Sequence, residues 1–129
     1  MQTYDPDSAP DPAAWLAMGE AERMLLVRIY HQEAHIRLPK PNLHMAVHVV
    51  VENQIAEGMP AVVGAMARLQ AEGLSRHDAL HAIASVAARR VQEVLQTEDP
   101  ELTRTFEARY SAELDKLTAE EWRRHAREE

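Results

Sequence analysis

Apolar residues recur every three to four positions along most of the chain, the spacing that places side chains on one face of an α-helix. The clearest apolar stripe consists of Leu80, Ile83, Ala87, Val91 and Val94. This periodicity predicts an all-α protein, folded as a single-domain helical bundle of four to five helices.

One segment is ambiguous between helix and strand, because Val47 and the valines at 49–51 have a high propensity for β-structure. The polar residues around them, His44, His48 and Glu52, recur every four positions rather than every two. A period of four fits a helix and does not fit a strand, so we predict a helix here.

Helix-capping and helix-breaking residues give the expected boundaries. Asp11 and Pro12 start the first helix, and Gly19 is the expected division between a short and a long part. Ser75 caps a later helix, with Asp78 three residues further on. The other helices are expected over about 42–57, over about 60–72 and from 99 onward, with a restart near 118.

The chain divides into three regions by composition. Residues 1–10 are rich in Asp and Pro without periodicity, and we expect them to form a flexible lead-in. Residues 11–97 carry the apolar stripes and all but one of the histidines, and they form the expected bundle core. Residues 98–129 are highly charged and are expected to form a C-terminal helical segment.

Overall composition narrows the chemistry. The chain has 129 residues, a formal net charge of −7 and no cysteine. The absence of cysteine excludes disulfides, thiolate metal sites and iron–sulfur clusters, and it fits a reducing cytoplasm. The sequence has no basic block and no apolar run near the roughly 20 residues of a membrane-spanning helix, and its acidic, proline-rich N-terminus is not expected to be a signal peptide. We therefore expect a cytoplasmic protein without a nucleic-acid or membrane partner.

Histidines are the main candidates for chemistry. Six of the seven form pairs spaced four residues apart, which is more than random placement would give. Residues four apart share a helix face, so two imidazoles can converge on one metal ion. Because only imidazole and carboxylate ligands are present, zinc is the first expectation, with iron, nickel and copper as alternatives. The pairs are His31/His35, His44/His48 and His77/His81.

The surroundings of the pairs distinguish them. His44 and His48 lie with Glu52 on a narrow polar stripe of an otherwise apolar helix, which predicts that they face inward. Buried imidazoles need polar partners, and a metal ion is one such partner. His77 and His81 lie beside the apolar stripe of their own helix. We predict a metal site of His44, His48, His77 and His81, with His31 and Glu52 as further candidate ligands.

Plainer interpretations stay open for the same residues. The inward-facing histidines can be hydrogen-bonded core residues without a metal. His31 and His35 lie in the last turns of their helix, where a cation interacts favourably with the helix dipole. Glu52 can support a ligand rather than bind the ion itself. His125 lies in the charged C-terminal segment and is expected to be solvated.

Two strings resemble a known family. Residues 43–54 (LHMAVHVVVENQ) and residues 73–83 (GLSRHDALHAI) resemble a bacterial family of small helical proteins, known only as a domain of unknown function. The resemblance covers residues 11–96 and implies no activity. It implies that the candidate ligands belong to one motif set, which consists of His31, His44, His48, Glu52, His77 and His81.

Two enzyme motifs are similar in part. The order His-Asp-Ala-Leu-His over residues 77–81 resembles the HExxH motif of zincin metalloproteases, with Asp in place of Glu. His77-Asp78, with His44 or His48 upstream, is similar to the metal ligands of HD phosphohydrolases. The chain lacks a clear third zincin ligand, a convincing downstream HD aspartate and, in its central helices, the Glu-x-x-His pairs of di-iron carboxylate bundles.

The sequence therefore predicts a metal-binding helical protein with a histidine-rich site inside the bundle, and it leaves open whether the protein is an enzyme. One alternative is a metal-dependent hydrolase, in which the ion activates a water molecule. Another is a non-enzymatic structural or oligomerisation module, and a third is a pH switch built on the clustered histidines. The candidate partners are a small anionic ligand at the metal and further copies of the chain.

Overall fold

Capping residues in the sequence begin helices where expected. In a computed structural model of the chain, which describes residues 4–33 and 41–128, the side chains of Asp11, Ser75 and Asp99 each accept a hydrogen bond from a backbone N–H in the first turn of the following helix. Gly58 and Gly73 have φ values of 75° and 104°. This left-handed backbone turns the chain between consecutive helices.

The residues that the structure describes form eight α-helices and no strand, so the all-α class is confirmed. No helix among them is long and apolar enough to cross a membrane. The helices are α1 (Pro12–Ala17), α2 (Glu20–Glu33), α3 (Pro41–Ala56), α4 (Pro60–Ala71), α5 (Arg76–Thr97), α6 (Pro100–Arg104), α7 (Phe106–Lys116) and α8 (Ala119–Glu128).

The number of helices is higher than the predicted four to five. α1 and α2 are separated near Gly19, as expected. In the C-terminal segment the restart predicted near 118 is present, because α8 begins at Ala119 and Glu121 N donates to Thr118 Oγ1 at 3.1 Å. The break between α6 and α7 is additional. Thr105 leaves helical geometry between α6 and α7, and Leu117 adopts an extended conformation (φ −68°, ψ 132°) between α7 and α8. Thr105 is neither a proline nor a glycine, so the sequence carries no strong signal for the break between α6 and α7.

Helix α3 is the central element, because its side chains pack in three directions. Val47 and Val51 join a core cluster formed largely by α4, α5 and α7. Met45 and Val49 join a second apolar cluster with the N-terminal segment, α1 and α2. The third direction carries the predicted ligands of this helix. Packing of the valines on two sides overrides their β propensity, and the segment is helical as predicted.

Helices α1 and α2 are tied to α3 through one side chain. Trp15 Nε1 donates a hydrogen bond to Asn53 Oδ1 at 2.8 Å, and Arg23 Nη1 donates to the same oxygen at 3.0 Å. These bonds hold α2 beside α3, so that His31, in the last turn of α2, reaches the histidines of α3.

The described part of the N-terminal lead-in, residues 4–10, packs against the bundle. Tyr4 and Pro6 are buried. Arg76 Nη1 donates a hydrogen bond to the Pro6 carbonyl oxygen at 2.8 Å, and His77 N donates to Asp7 Oδ1 at 3.0 Å. The described part of this segment therefore covers the first turn of α5.

The core packing gives a first testable prediction. Leu69 in α4 is fully buried in the larger cluster, whereas Leu95 in α5 is 72% exposed. Leu69→Ala leaves a cavity, so we expect it to lower the free energy of unfolding by about 2–5 kcal/mol. Leu95→Ala is the matched control and should change that free energy by about 0.5 kcal/mol or less. Urea denaturation followed by circular dichroism measures both, and equal effects would contradict this packing.

Candidate metal centre

Three helices bring five histidines into one group, which we call the histidine cluster. α2 contributes His31, α3 contributes His44 and His48, and α5 contributes His77 and His81. The ring of His31 lies within 5.9 Å, centroid to centroid, of each of the other four rings. The closest ring pairs are His77–His81 at 4.1 Å and His44–His81 at 4.6 Å.

Four of the five histidines offer ring nitrogens that are close enough to share one ion. One ligand atom from each of His31, His44, His48 and His81 lies within 4.8 Å of the others. A tetrahedral zinc ion with Zn–N bonds of about 2.0 Å separates its ligand nitrogens by about 3.3 Å. Small side-chain rotations would bring the four nitrogens to that spacing. Such a nitrogen-rich set suits zinc and also copper, nickel or iron.

Membership of this group of four differs in two places from the predicted ligand set. His31, expected only as an addition, lies within the group, and His77, expected as a main ligand, lies at its edge. His77 Nε2 is 2.9 Å from His81 Nε2, so it contacts the group through that residue. Helical periodicity gives the face of each side chain but not how neighbouring helices are offset, so the sequence could not rank the two.

The cluster has a sealed inner side and a more open outer side. His48 is fully buried and His31 is only 2% exposed. His44, His77 and His81 are half-buried. Solvent therefore reaches the cluster from the side that these three residues form.

A hydrogen bond fixes the proton of His31 on one ring nitrogen. Nδ1 lies 2.8 Å from the Val27 carbonyl oxygen, which can only accept, so Nδ1 carries the proton and donates it. The lone pair is then on Nε2, which is buried and has no hydrogen-bond partner among the described residues. An unpartnered buried lone pair is costly, and a metal ion would satisfy it.

The proton of His48 is fixed through Tyr4. The Tyr4 hydroxyl donates its single proton to Glu52 Oε2, because a carboxylate can only accept. The hydroxyl oxygen must therefore accept from His48 Nε2, which lies 2.6 Å away. The lone pair of His48 is left on Nδ1, which is buried and unpartnered within the described structure. Both unpartnered nitrogens thus belong to the inner side of the cluster.

A buried ion pair holds the Tyr4 contact in place. Arg76 Nη2 donates to Glu52 Oε1 at 2.8 Å and Arg76 Nη1 donates to Glu52 Oε2 at 2.9 Å, a two-pronged contact between α5 and α3. Glu52 is 1% exposed, and its carboxylate is not in the group of four. Of the two roles considered for Glu52, these contacts favour support of a ligand over direct binding of an ion.

Tyr4 and Arg76 belong to the site, yet sequence reasoning missed both. Tyr4 lies 44 residues from His48, in a segment without periodicity, so no local signal points to it. Arg76 directly precedes His77 and does not belong to the apolar stripe of its helix, so the pattern gives no sign that it is buried. Its one available clue is that an arginine beside predicted inward-facing residues needs an acidic partner if it is buried.

His81 is shared between two neighbours on the outer side. Its Nε2 lies 2.9 Å from His77 Nε2 and 3.1 Å from His44 Nε2. A ring nitrogen carries either one proton or one in-plane lone pair, so only one of these contacts can be a good hydrogen bond. The other contact lacks a full hydrogen bond, and a cation between the rings would satisfy the nitrogens that remain.

Burial keeps the histidines of the cluster neutral. Burial, followed by the neighbouring histidines, lowers the pKa of His44 to about 4. The same causes lower the pKa of His48 and the pKa of His81. Burial is also the main cause that lowers the pKa of His31 and the pKa of His77. Neutral imidazole is the form that binds metal ions, so the cluster has its ligands ready at neutral pH.

The acidic residue of the two partly matching enzyme motifs does not join the ligand group. The Asp78 side chain is exposed, and its carboxylate is not among the four grouped ligand atoms. The Asp78 backbone N–H donates to Ser75 Oγ at 3.1 Å, which is a helix cap. The similarity to zincins and HD phosphohydrolases is thus limited to the spacing of residues in the sequence, because the acidic residue of both motifs lies outside the ligand group.

Comparison with protein-family models, with curated proteins and with solved structures finds no match to this chain. His35 lies outside the described residues, and so does the side chain of His125, so the predictions for these two histidines stay predictions.

The lowered pKa values predict that acid destabilises the metal-free protein. Unfolded histidine has a pKa of about 6.5, whereas the folded structure lowers the pKa of His44 to about 4. Between these pH values the unfolded chain binds more protons than the folded chain, so the free energy of unfolding falls as the pH falls.

Thermal melts in the presence of a chelator check this prediction. Carboxyl groups titrate mainly below about pH 5, so the range from about pH 7 to about pH 5.5 reports the histidines. We expect the melting temperature to fall steadily across that range. A constant melting temperature would contradict a cluster of buried, neutral imidazoles.

Proposed function

We propose that this protein binds a transition-metal ion, zinc by default, through His31, His44, His48 and His81. One observation carries the proposal: His31 Nε2 and His48 Nδ1 are buried without partners, within a group whose ligand atoms lie within 4.8 Å of one another. In each of these two rings the other nitrogen is held by an oxygen atom. Metal-binding histidines are typically held in this way, with one nitrogen on the ion and the other N–H donated to an oxygen.

Hydrogen-bonded packing without a metal explains fewer of the contacts in the histidine cluster than a bound metal ion does. It explains one of the two outer contacts of His81, but it leaves the two inner nitrogens without partners. Buried polar groups without partners are rare in folded proteins. The metal-bound state satisfies the inner nitrogens and relieves the crowded outer contact together.

Zinc suits this ligand set, because it accepts four nitrogen ligands in a tetrahedral arrangement. The ion would add to a fold that already has two apolar clusters, so it would reinforce the structure rather than create it.

Because a chain without cysteine suits a reducing compartment, we propose that the protein is located in the cytoplasm.

Metal content tests the proposal directly. Protein made without a histidine tag and incubated with zinc should keep one ion per chain after gel filtration, as measured by elemental analysis. The double variant His48→Ala/His81→Ala should lose that ion, because two of the four ligands are gone. Val51→Ala, at a fully buried position of α3 that offers no nitrogen, is the matched control for lost stability and should keep it. Equal metal content in the wild type and the double variant would contradict the proposed metal site.

The contacts of Tyr4 predict a graded effect on metal affinity. Tyr4→Phe removes the oxygen that accepts the His48 Nε2 proton, so the lone pair on Nδ1 is no longer enforced. We expect the affinity for zinc to fall about 10- to 100-fold, as for other supporting contacts of metal ligands.

Tyr110→Phe is the matched control for Tyr4→Phe. Tyr110 is also buried, and its hydroxyl donates to Gln54 Oε1 at 2.8 Å, away from the histidine cluster. Competition with a colorimetric chelator measures zinc affinity in both variants. Equal affinities would show that Tyr4 has no part in holding the ligand.

A further inference from the structure

The ligand group of the proposed metal site contains no negative charge to balance a divalent ion, and the nearby Asp7 and Asp78 lie outside that group. The four imidazoles of the group are neutral ligands, so the ion would keep its double positive charge. The buried carboxylate beside the cluster, Glu52, is already paired with Arg76. A charge in a largely buried site is costly unless an opposite charge lies near it, and an anionic ligand would supply one.

The outer side of the cluster is where such a ligand can enter. The inner side is sealed by His31 and His48, which are almost wholly buried, whereas His44, His77 and His81 are half-buried. Zinc with four ligands can expand its coordination to five. A ligand that arrives from solvent would therefore occupy a position next to the three outer rings.

His77 is placed to hold a ligand at that position. It lies outside the group of four, with its Nε2 2.9 Å from His81 Nε2. When His81 gives the lone pair of this nitrogen to the ion, the same lone pair cannot accept a hydrogen bond from His77. With its proton on Nε2, His77 can then donate to an acceptor that sits on the outer side of the ion.

Acidic residues near His77 restrict which anions can bind. Asp7 Oδ1 accepts a hydrogen bond from His77 N at 3.0 Å, and the exposed Asp78 directly follows His77 in α5. Their carboxylates therefore act on the outer side of the cluster. They would repel a polyanion strongly and a small monoanion much less, because the repulsion scales with the charge of the ligand.

We propose that the metal site binds a small inorganic monoanion on its outer side, hydroxide when no other is present, and that His77 donates a hydrogen bond to it. This inference rests on the proposed metal site. It makes His77 a positioning residue of an open centre rather than a fifth ligand. A metal-bound hydroxide held in this way is the species that hydrolytic metal centres use.

Cobalt(II) in place of zinc tests the inference, because its visible absorption bands report the ligands of the ion. Protein loaded to one cobalt per chain, as checked by elemental analysis, is titrated with sodium azide at constant ionic strength. We expect the bands to change until they saturate. Sodium phosphate at the same concentrations, which is more highly charged at neutral pH, should leave them unchanged.

Variants at His77 test its role. His77→Ala should keep the cobalt, and its dissociation constant for azide should rise about tenfold or more, as expected for the loss of one hydrogen bond to a charged ligand. His77→Gln should recover part of the affinity, because its amide can donate from a similar position. Circular dichroism checks that both variants are folded. The azide titration of the wild-type protein tests the anion site even if neither variant folds.

The outcomes separate this inference from the function on which it rests. Failure of the wild type to bind cobalt would contradict the metal site itself. Cobalt binding with no response to azide would support the metal site but contradict the proposal that an anion binds to it. Tighter binding of phosphate than of azide would overturn the ligand class. Unchanged azide affinity in His77→Ala, or loss of cobalt from both folded His77 variants, would overturn the role of His77.

Discussion

The ion pair between Arg76 and Glu52 is the contact on which the candidate site depends. It joins the first turn of α5 to the C-terminal part of α3, with both side chains buried. Buried charges lose their hydration, and only a close pairing with further hydrogen bonds offsets that cost. The two helices are therefore held in one register, because sliding either helix by a turn would leave two buried charges unpaired.

That register places the histidines opposite one another. Along α3 and α5 the contacts run in opposite directions, from Glu52–Arg76 through His48–His77 to His44–His81. On α3 the three residues are spaced by four, about one turn, whereas on α5 Arg76 directly precedes His77 and His81 lies about one turn further on. The same carboxylate accepts the Tyr4 hydroxyl, which fixes the proton of His48. One ion pair thus sets both the position and the protonation of a proposed ligand.

Local sequence signals predicted much of this layout, and for physical reasons. The cap at Ser75 and the narrow polar stripe of α3 depend on residues close together in the chain, and the structure buries His48 and Glu52 as the stripe indicates. The entry of His31 into the group of four and the contact of Tyr4 with His48 depend on how distant segments pack. Periodicity carries no information on such packing, and the extra break at Thr105 likewise lacks a glycine or proline that would indicate it.

X-ray absorption at the zinc edge, on protein loaded with one ion per chain, tests the metal centre most directly, because it reports the atoms bound to the ion. A centre built from the histidine cluster predicts imidazole nitrogens at about 2.0–2.1 Å, with the outer-shell scattering of the rings, and room for one lighter ligand. A first shell made only of oxygen atoms, with no scattering from imidazole rings, would mean that zinc binds at surface carboxylates, and it would contradict the metal centre.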